Sequence, residues 1–326
     1  MFEYNKIKNY GKPYIIADIG ANHNGDIELV KKMIGKAKEC GAGCVKFQSW
    51  SKDSIFSKCV YKDNFFLRDD YRNNTDYTLE EIVDAYSIGK KEHRELKEYC
   101  DKIGIDFAST GFCRVEIDFL VDELDVPFIK VASMDINNLP FLKYIAGKEK
   151  PVVISTGLFE LSDVVEAVKC LENHGCSEII VLHYVSIYPP QNKEVNLNNI
   201  EMYKKIFPYP VGYSDHTLGS IAPIMSLTIG GRMLEKHFTL DKNVSGWDHK
   251  ISSDGAELRT ICEVASCGYE MLGSYHKIVS EESERRNAFQ RSIVAAREIL
   301  LEKFLREKIL IISVPVRVSR LSTMNF

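Results

Sequence analysis

The chain has 326 residues, 45% of them hydrophobic, and 42 Lys+Arg against 46 Asp+Glu leave a net charge of −4. That supplies core for one large domain or two ordinary ones, and the charge balance gives no general electrostatic case for nucleic acid. The nine cysteines form no CxxC pair, the opening "MFEYNKIKNYGKPY" has no apolar signal run, and no segment has the length of a membrane span, so the sequence reads as a reduced, cytoplasmic protein.

Apolar runs recur along the chain with helix-sized segments between them. "PYIIADIG" (13–20) precedes the amphipathic "DIELVKKMIGKAKECG", and "CVKFQSW" (44–50) follows it. Cys40 and Cys44 read as buried thiols. A polar, aromatic-rich insertion runs to about residue 78, then the helical "KKEHRELKEYCDKIG" leads to "IDFAST" (105–110). "RVEIDFLVDEL" leads to "PFIKVAS" (127–133), "LPFLKYIAGKEK" to "PVVISTG" (151–157), and "LSDVVEAVKCLENHG" to "EIIVLHYV" (178–185). A helix near 198–207 precedes "YPVGYSD" (209–215), and "SIAPIMSLTIGG" leads to "RMLEKHF" (232–238). Eight strands alternating with helices imply a parallel sheet, and eight such units in about 250 residues fit a (β/α)8 TIM barrel. A doubly wound sheet is the rival, but no GxGxxG follows the first strand.

Polar residues collect at the C-terminal ends of these strands, where a barrel enzyme keeps its site. They are Asp18, Lys46 and Gln48, Ser109 and Thr110, Lys130 and Ser133, Ser155 and Thr156, then His183, Ser186 and Tyr188, Ser214 and His216, and Glu235 and His237. Two lysines among the hydroxyls of Thr110, Ser133, Ser155 and Ser214 suit a phosphate or carboxylate. Taken singly, either lysine also reads as a snorkelling barrel residue. His216 and His237, ending adjacent strands, read as ligands of a divalent metal with positions left open; a hydrogen-bonded core pair is the plainer alternative. Mn²⁺ or Mg²⁺ suits a site completed by water and substrate oxygens, and Zn²⁺ would also suit the imidazoles. In "VGYSDHTLG" (211–219), alternation puts Ser214 and His216 on one face and Asp215 on the other, which excludes a Ser-His-Asp relay. "ANHNG" (21–25) reads as a turn with Asp26 as helix cap, and His23 as a support for the site. Asp248 and His249 lie in a loop beyond the last strand, with Trp247 suggesting packing over a solvated turn.

These motifs carry a resemblance. "IIADIGANHNGD", "VKFQ", "FASTGF", "IKVAS", "ISTG", "LHYVSIYP", "GYSDHTLG", "LEKHFTLD" and "GWDHKIS", in this order over roughly residues 13–255, resemble the N-acetylneuraminate (sialic acid) synthase family, including legionaminate and pseudaminate synthases. The resemblance implies a barrel transferase that condenses phosphoenolpyruvate with an N-acylated, mannosamine-type hexosamine, with C–O cleavage and release of inorganic phosphate. It implies that Lys46, Thr110, Lys130, Ser133, Ser155, Ser186 and Ser214 hold phosphoenolpyruvate. His216 and His237 would bind the metal, Gln48, Tyr188 and Asp248 would meet the sugar, and Asp18 and Glu235 are candidates to move protons. It also implies a homodimer.

The chain departs from the family at Asp18, where glutamate is usual, at "STGF" for "STPF", at Ser186, where some members have asparagine, and at Asp135 in place of glutamate. Residues 1–280 read as the barrel domain. Residues 281–326 read as a linker and a truncated or aberrant start of the family's C-terminal antifreeze-like domain, without its "KRPGxG" motif. Arg317 and Arg320 match no motif that would replace the arginine that domain delivers to a partner's sugar site. Asn73 and Asn74, in the insertion, are candidates for sugar contact. Two other readings stay open: another phosphoenolpyruvate-condensing or aldolase-type barrel, and a catalytically impaired barrel acting as a binding subunit.

Overall fold

The computed structural model describes residues 1–8, 11–63, 78–244, 246–273, 280–295 and 310–313. Asn73, Asn74, Arg317 and Arg320 lie outside them. Eight strands close into a barrel: β1 Tyr14–Gly20, β2 Cys44–Ser49, β3 Asp106–Gly111, β4 Ile129–Val131, β5 Val152–Ser155, β6 Ile179–Tyr184, β7 Val211–Asp215 and β8 Met233–His237. Each runs parallel to the next, and β8 pairs with β1. The fold expected from the alternating pattern is the fold observed.

The local chemistry explains the turns between strands. Asn24 and Gly25 take positive φ (49° and 78°), and Asp26 then caps the helix Ile27–Cys40 by accepting from Glu28 N and Leu29 N. That helix stops at Gly41, whose φ of 96° is left-handed and open to glycine at little cost. β4 is only three residues long because the chain turns at Ala132 into a short 3-10 helix, Ser133–Asp135.

Strand side chains alternate between two cores. The outward set, including Ile15, Val45, Phe107, Val131, Val181 and Leu234, packs under the helices. The inward set, Ile16, Cys44, Ala108, Phe128, Val153, Ile180 and Met233, fills the N-terminal half of the barrel. Tyr4 and Ile7 of the helix Tyr4–Lys8 join this inner cluster, and Phe2 N (2.5 Å) and Tyr14 Oη (2.7 Å) both donate to Asp106 Oδ2.

Gly212, on β7, leaves no room for a side chain. A Cβ there would stand 2.1 Å from the Met233 carbonyl oxygen and 2.6 Å from Leu182 Cδ2. Gly212→Ala is therefore expected to cost about 1–3 kcal/mol through overpacking against backbone. Urea unfolding should show a lowered midpoint at an unchanged slope; an unchanged midpoint would mean that β7 and β8 separate freely.

The chain divides into two compact units, Met1–Leu272 and Gly273–Phe326. In the second, a helix spans Ser280–Phe289, and β9 (Ser292–Ala295) pairs antiparallel with β10 (Leu310–Ser313). Among the described residues no helix is long and apolar enough to cross a membrane.

Candidate active site

Above the apolar plug the inward positions turn polar. Asp18, Lys46, Thr110, Lys130, Ser155, Ser214 and Glu235 are all buried and continue the inward rows of their strands. Lys46 Nζ lies 2.9 Å from Asp18 Oδ2, 3.9 Å from Glu235 Oε2 and 3.5 Å from Thr110 Oγ1. Lys130 Nζ donates to Ser155 Oγ at 2.7 Å and lies 3.8 Å from Glu235 Oε1, which accepts from Ser214 Oγ at 2.8 Å. Two ammonium groups and two carboxylates thus share one low-dielectric volume. Ser133 is buried just past β4, while Ser186 and Gln48 are half-buried.

The charges hold one another. Burial alone would drive the Lys46 ammonium down, but Asp18 and Glu235 outweigh it and keep Lys46 above the ordinary lysine range. Burial lowers Lys130, with Glu235 only partly opposing it. Burial would raise Glu235, yet Lys130, Lys46 and the Ser214 hydroxyl bring it below the usual carboxylate value. An anion entering here would compete with Asp18 and Glu235 for both lysines.

Beside this cluster His216 and His237 stack at 4.9 Å with 17° between their planes. Tyr188 lies 4.1 Å from the His216 ring, and Tyr184 meets it edge-on at 4.9 Å. Burial pushes His216 well below the ordinary histidine range, with His237 and the lysines acting the same way, so its imidazole is neutral and able to coordinate. Buried and without hydrogen-bond partners are His216 Nδ1, His237 Nδ1, Asp18 Oδ1 and Glu235 Oε2. Orphaned polar atoms of this kind are costly and call for a ligand. Two imidazoles next to carboxylates fit a divalent cation by donor chemistry. Among the described residues no group of three or more His, Cys, Asp or Glu is arranged to hold a metal.

Three strand-end residues do not face the mouth. Ser109 Oγ bonds Ser49 Oγ (2.8 Å), which bonds His93 Nε2 (2.9 Å). Thr156 Oγ1 donates to the Leu182 carbonyl (3.1 Å) and lies 3.3 Å from Tyr203 Oη. His183 stacks on Tyr213 and donates from Nε2 to the Val195 carbonyl at 2.7 Å. Each occupies the odd register of its strand and is buried under the helices, which corrects the expectation that all these strand ends converge. Asp215 obeys the same alternation, accepting from Lys236 Nζ at 2.5 Å on the outer face.

The loops after β1 and β8 are tied together by Asn22, a residue the sequence reading passed over inside "ANHNG". Its Nδ2 donates to the Phe238 carbonyl (3.0 Å) and Ser252 Oγ (2.8 Å), and its Oδ1 accepts from Asp248 N (3.2 Å). Asp248 and His249 are buried, in keeping with packing over a solvated turn. His23 accepts from Gly25 N at 2.9 Å, and burial lowers its pKa to about 4, so it braces the turn as a neutral ring. Asp135 is raised to about 6, chiefly by burial, and its Oδ2 is buried without a hydrogen bond.

Residues 33–277 match the NeuB family. The chain is 42% identical over 297 residues to an uncharacterized protein of Methanocaldococcus jannaschii, covering 90% of this chain and 83% of that one. It is 37% identical over 292 residues to the N,N'-diacetyllegionaminic acid synthase of Legionella pneumophila, covering 88% and 81%. Among solved structures it is similar to the N-acetylneuraminic acid (sialic acid) synthetase of Leptospira borgpetersenii serovar Hardjo-bovis in complex with citrate. The TM-score is 0.74 at 30% identity, covering 86% of this chain and 93% of that one.

Proposed function

The chain belongs to the NeuB family of sialic acid and related nonulosonate synthases, and from that premise we propose that it condenses phosphoenolpyruvate with an N-acylated, mannosamine-type sugar and releases inorganic phosphate. The observation that carries this reading is the buried Lys46–Lys130 pair with its ring of hydroxyls, set beside the stacked His216–His237 pair.

Lys46 and Lys130, with Thr110, Ser133, Ser155, Ser186 and Ser214, hold the phosphate and carboxylate of phosphoenolpyruvate by charge-assisted hydrogen bonds. When the anion takes the lysines, Asp18 and Glu235 lose their partners and become free to accept or return a proton. Gln48, Tyr188 and Asp248 line the side where the sugar lies and orient its aldehyde toward carbon-3 of phosphoenolpyruvate. His216 and His237 would hold a divalent cation, Mn²⁺ or Mg²⁺, which when bound would supply Lewis acidity for polarising the sugar's carbonyl. The lysines and hydroxyls stabilise the phosphate from water addition at carbon-2 through C–O cleavage. All nine cysteines are free thiols, which accords with a reducing cytoplasm, and we take the working unit to be a homodimer.

Phosphate release from phosphoenolpyruvate, measured with N-acetylmannosamine, with its 2,4-diacetamido-6-deoxy analogue and without sugar, tests the reading. Sugar-dependent release supports it; release that ignores the sugar, or none at all with both substrates bound, sinks it. A chelator is expected to bring release to the no-sugar background, and Mn²⁺ or Mg²⁺ to restore it. Full activity after exhaustive chelation would remove the metal from the proposal.

A further inference from the structure

Tyr184 is a side chain that neither the sequence reading nor the proposed reaction uses. It ends β6 on the inner face, opposite Ser214 of β7, and is 8% exposed. Its ring lies over Gly157, where a Cβ would come within 2.3 Å of it, and meets His216 edge-on at 4.9 Å. Its hydroxyl is 3.3 Å from Ser186 Oγ and 2.7 Å from Tyr188 Oη. Three hydroxyls therefore form a chain, with Ser186, which the proposed reading assigns to the anion, at one end and Tyr188, which it assigns to the sugar, at the other. Ser186 is half-buried and Tyr188 is partly exposed.

Each hydroxyl has one proton to give. With Tyr184 donating to Ser186, Tyr188 must donate to Tyr184, and the chain acquires a direction. Ser186 is left with its own proton for an oxyanion, phosphate or carboxylate. Tyr188 is left with lone pairs for an O–H or amide N–H. Hydrogen bonds in such a chain polarise one another, the more so when shielded from water.

We infer that Tyr184 is a positioning residue that couples the anion and sugar subsites, so that filling one strengthens binding at the other through Tyr188–Tyr184–Ser186. The inference rests on the proposed reading of what occupies each end. Tyr184→Phe keeps the ring over Gly157 and against His216 while it breaks the chain.

Isothermal titration with inorganic phosphate, alone and in saturating N-acetylmannosamine, reads the coupling with two ligands that do not react. The full-length wild type is expected to bind phosphate about three- to tenfold more tightly with sugar present, and sugar reciprocally more tightly with phosphate. In Tyr184→Phe the gain should fall below about twofold, with affinity for phosphate alone within about threefold of wild type. Tyr188→Phe, a change at an exposed side chain, should remove the same gain, and the double variant should remove no more, because both break one chain. Coupling that survives Tyr184→Phe, losses that add in the double variant, or a wild type without coupling would overturn the inference. A wild type that binds both ligands yet releases no phosphate from phosphoenolpyruvate with any N-acyl sugar would overturn the proposed function and this inference with it. Turnover with unchanged coupling in Tyr184→Phe overturns the inference alone.

Discussion

Lys130→Met is expected to lower kcat/KM for sugar-dependent phosphate release by about 10²–10³-fold, the scale of losing one preorganised charged donor from a water-poor site. The residue is nearly fully buried, donates to Ser155 at 2.7 Å and faces Glu235 at 3.8 Å. Methionine keeps most of the volume and removes the charge, so Glu235 is left with Lys46 as its remaining cation, 3.9 Å away. The loss should fall on phosphoenolpyruvate: its KM rises and kcat falls, while the KM of the sugar changes little. Because burial lowers the Lys130 pKa, its ammonium is lost at a lower pH than that of an ordinary lysine. The sign follows directly. Affinity for phosphoenolpyruvate should weaken as pH rises through that depressed value, and the variant should lack this weakening. Steady-state phosphate release across pH checks both parts; a change under threefold would remove Lys130 from the anion site.

The barrel was legible because eight apolar runs recur between helix-sized segments, and because a parallel strand covered on both sides needs such a run. Lys46 with Gln48, and Glu235 with His237, were legible as face-sharing pairs from the two-residue period alone. That period does not say which face is inside, and here the limits lie. Ser109, Thr156 and His183 end strands like their neighbours but sit one residue out of phase. Their partners, Ser49, Tyr203 and the Val195 carbonyl, come from other segments of the chain. Tyr184 was missed for the opposite reason: an aromatic at the end of an apolar run reads as core. Only the register that sets it opposite Ser214, together with the bareness of Gly157, places its hydroxyl in the mouth. Asn22 was hidden in a turn motif whose glycine and aspartate already explained the local chain.

Lys236→Met is expected to cost about 3–5 kcal/mol of stability, the penalty for leaving one member of a buried ion pair without its partner. Lys236 and Asp215 have fully buried side chains and meet at 2.5 Å. Lys236 also donates to the Thr217 carbonyl at 2.7 Å, and Asp215 accepts from Thr217 N and Oγ1 at 2.9 and 3.1 Å. Removing the lysine strands a carboxylate under the helices, where water cannot replace the lost partner. The double change Asp215→Leu with Lys236→Met should recover most of the loss, because no charge is then left alone. Urea unfolding of the single and double variants checks this, and a single-variant cost under about 1 kcal/mol would mean that water reaches Asp215. The pair also bears on the site. Asp215 stands between Ser214 and His216, and Lys236 between Glu235 and His237, so one ion pair on the outer face holds the register of the two strands that present those four side chains inward. The double variant separates the two roles: if stability returns but sugar-dependent release does not, the outer pair sets the spacing of the inner residues as well as the stability of the barrel.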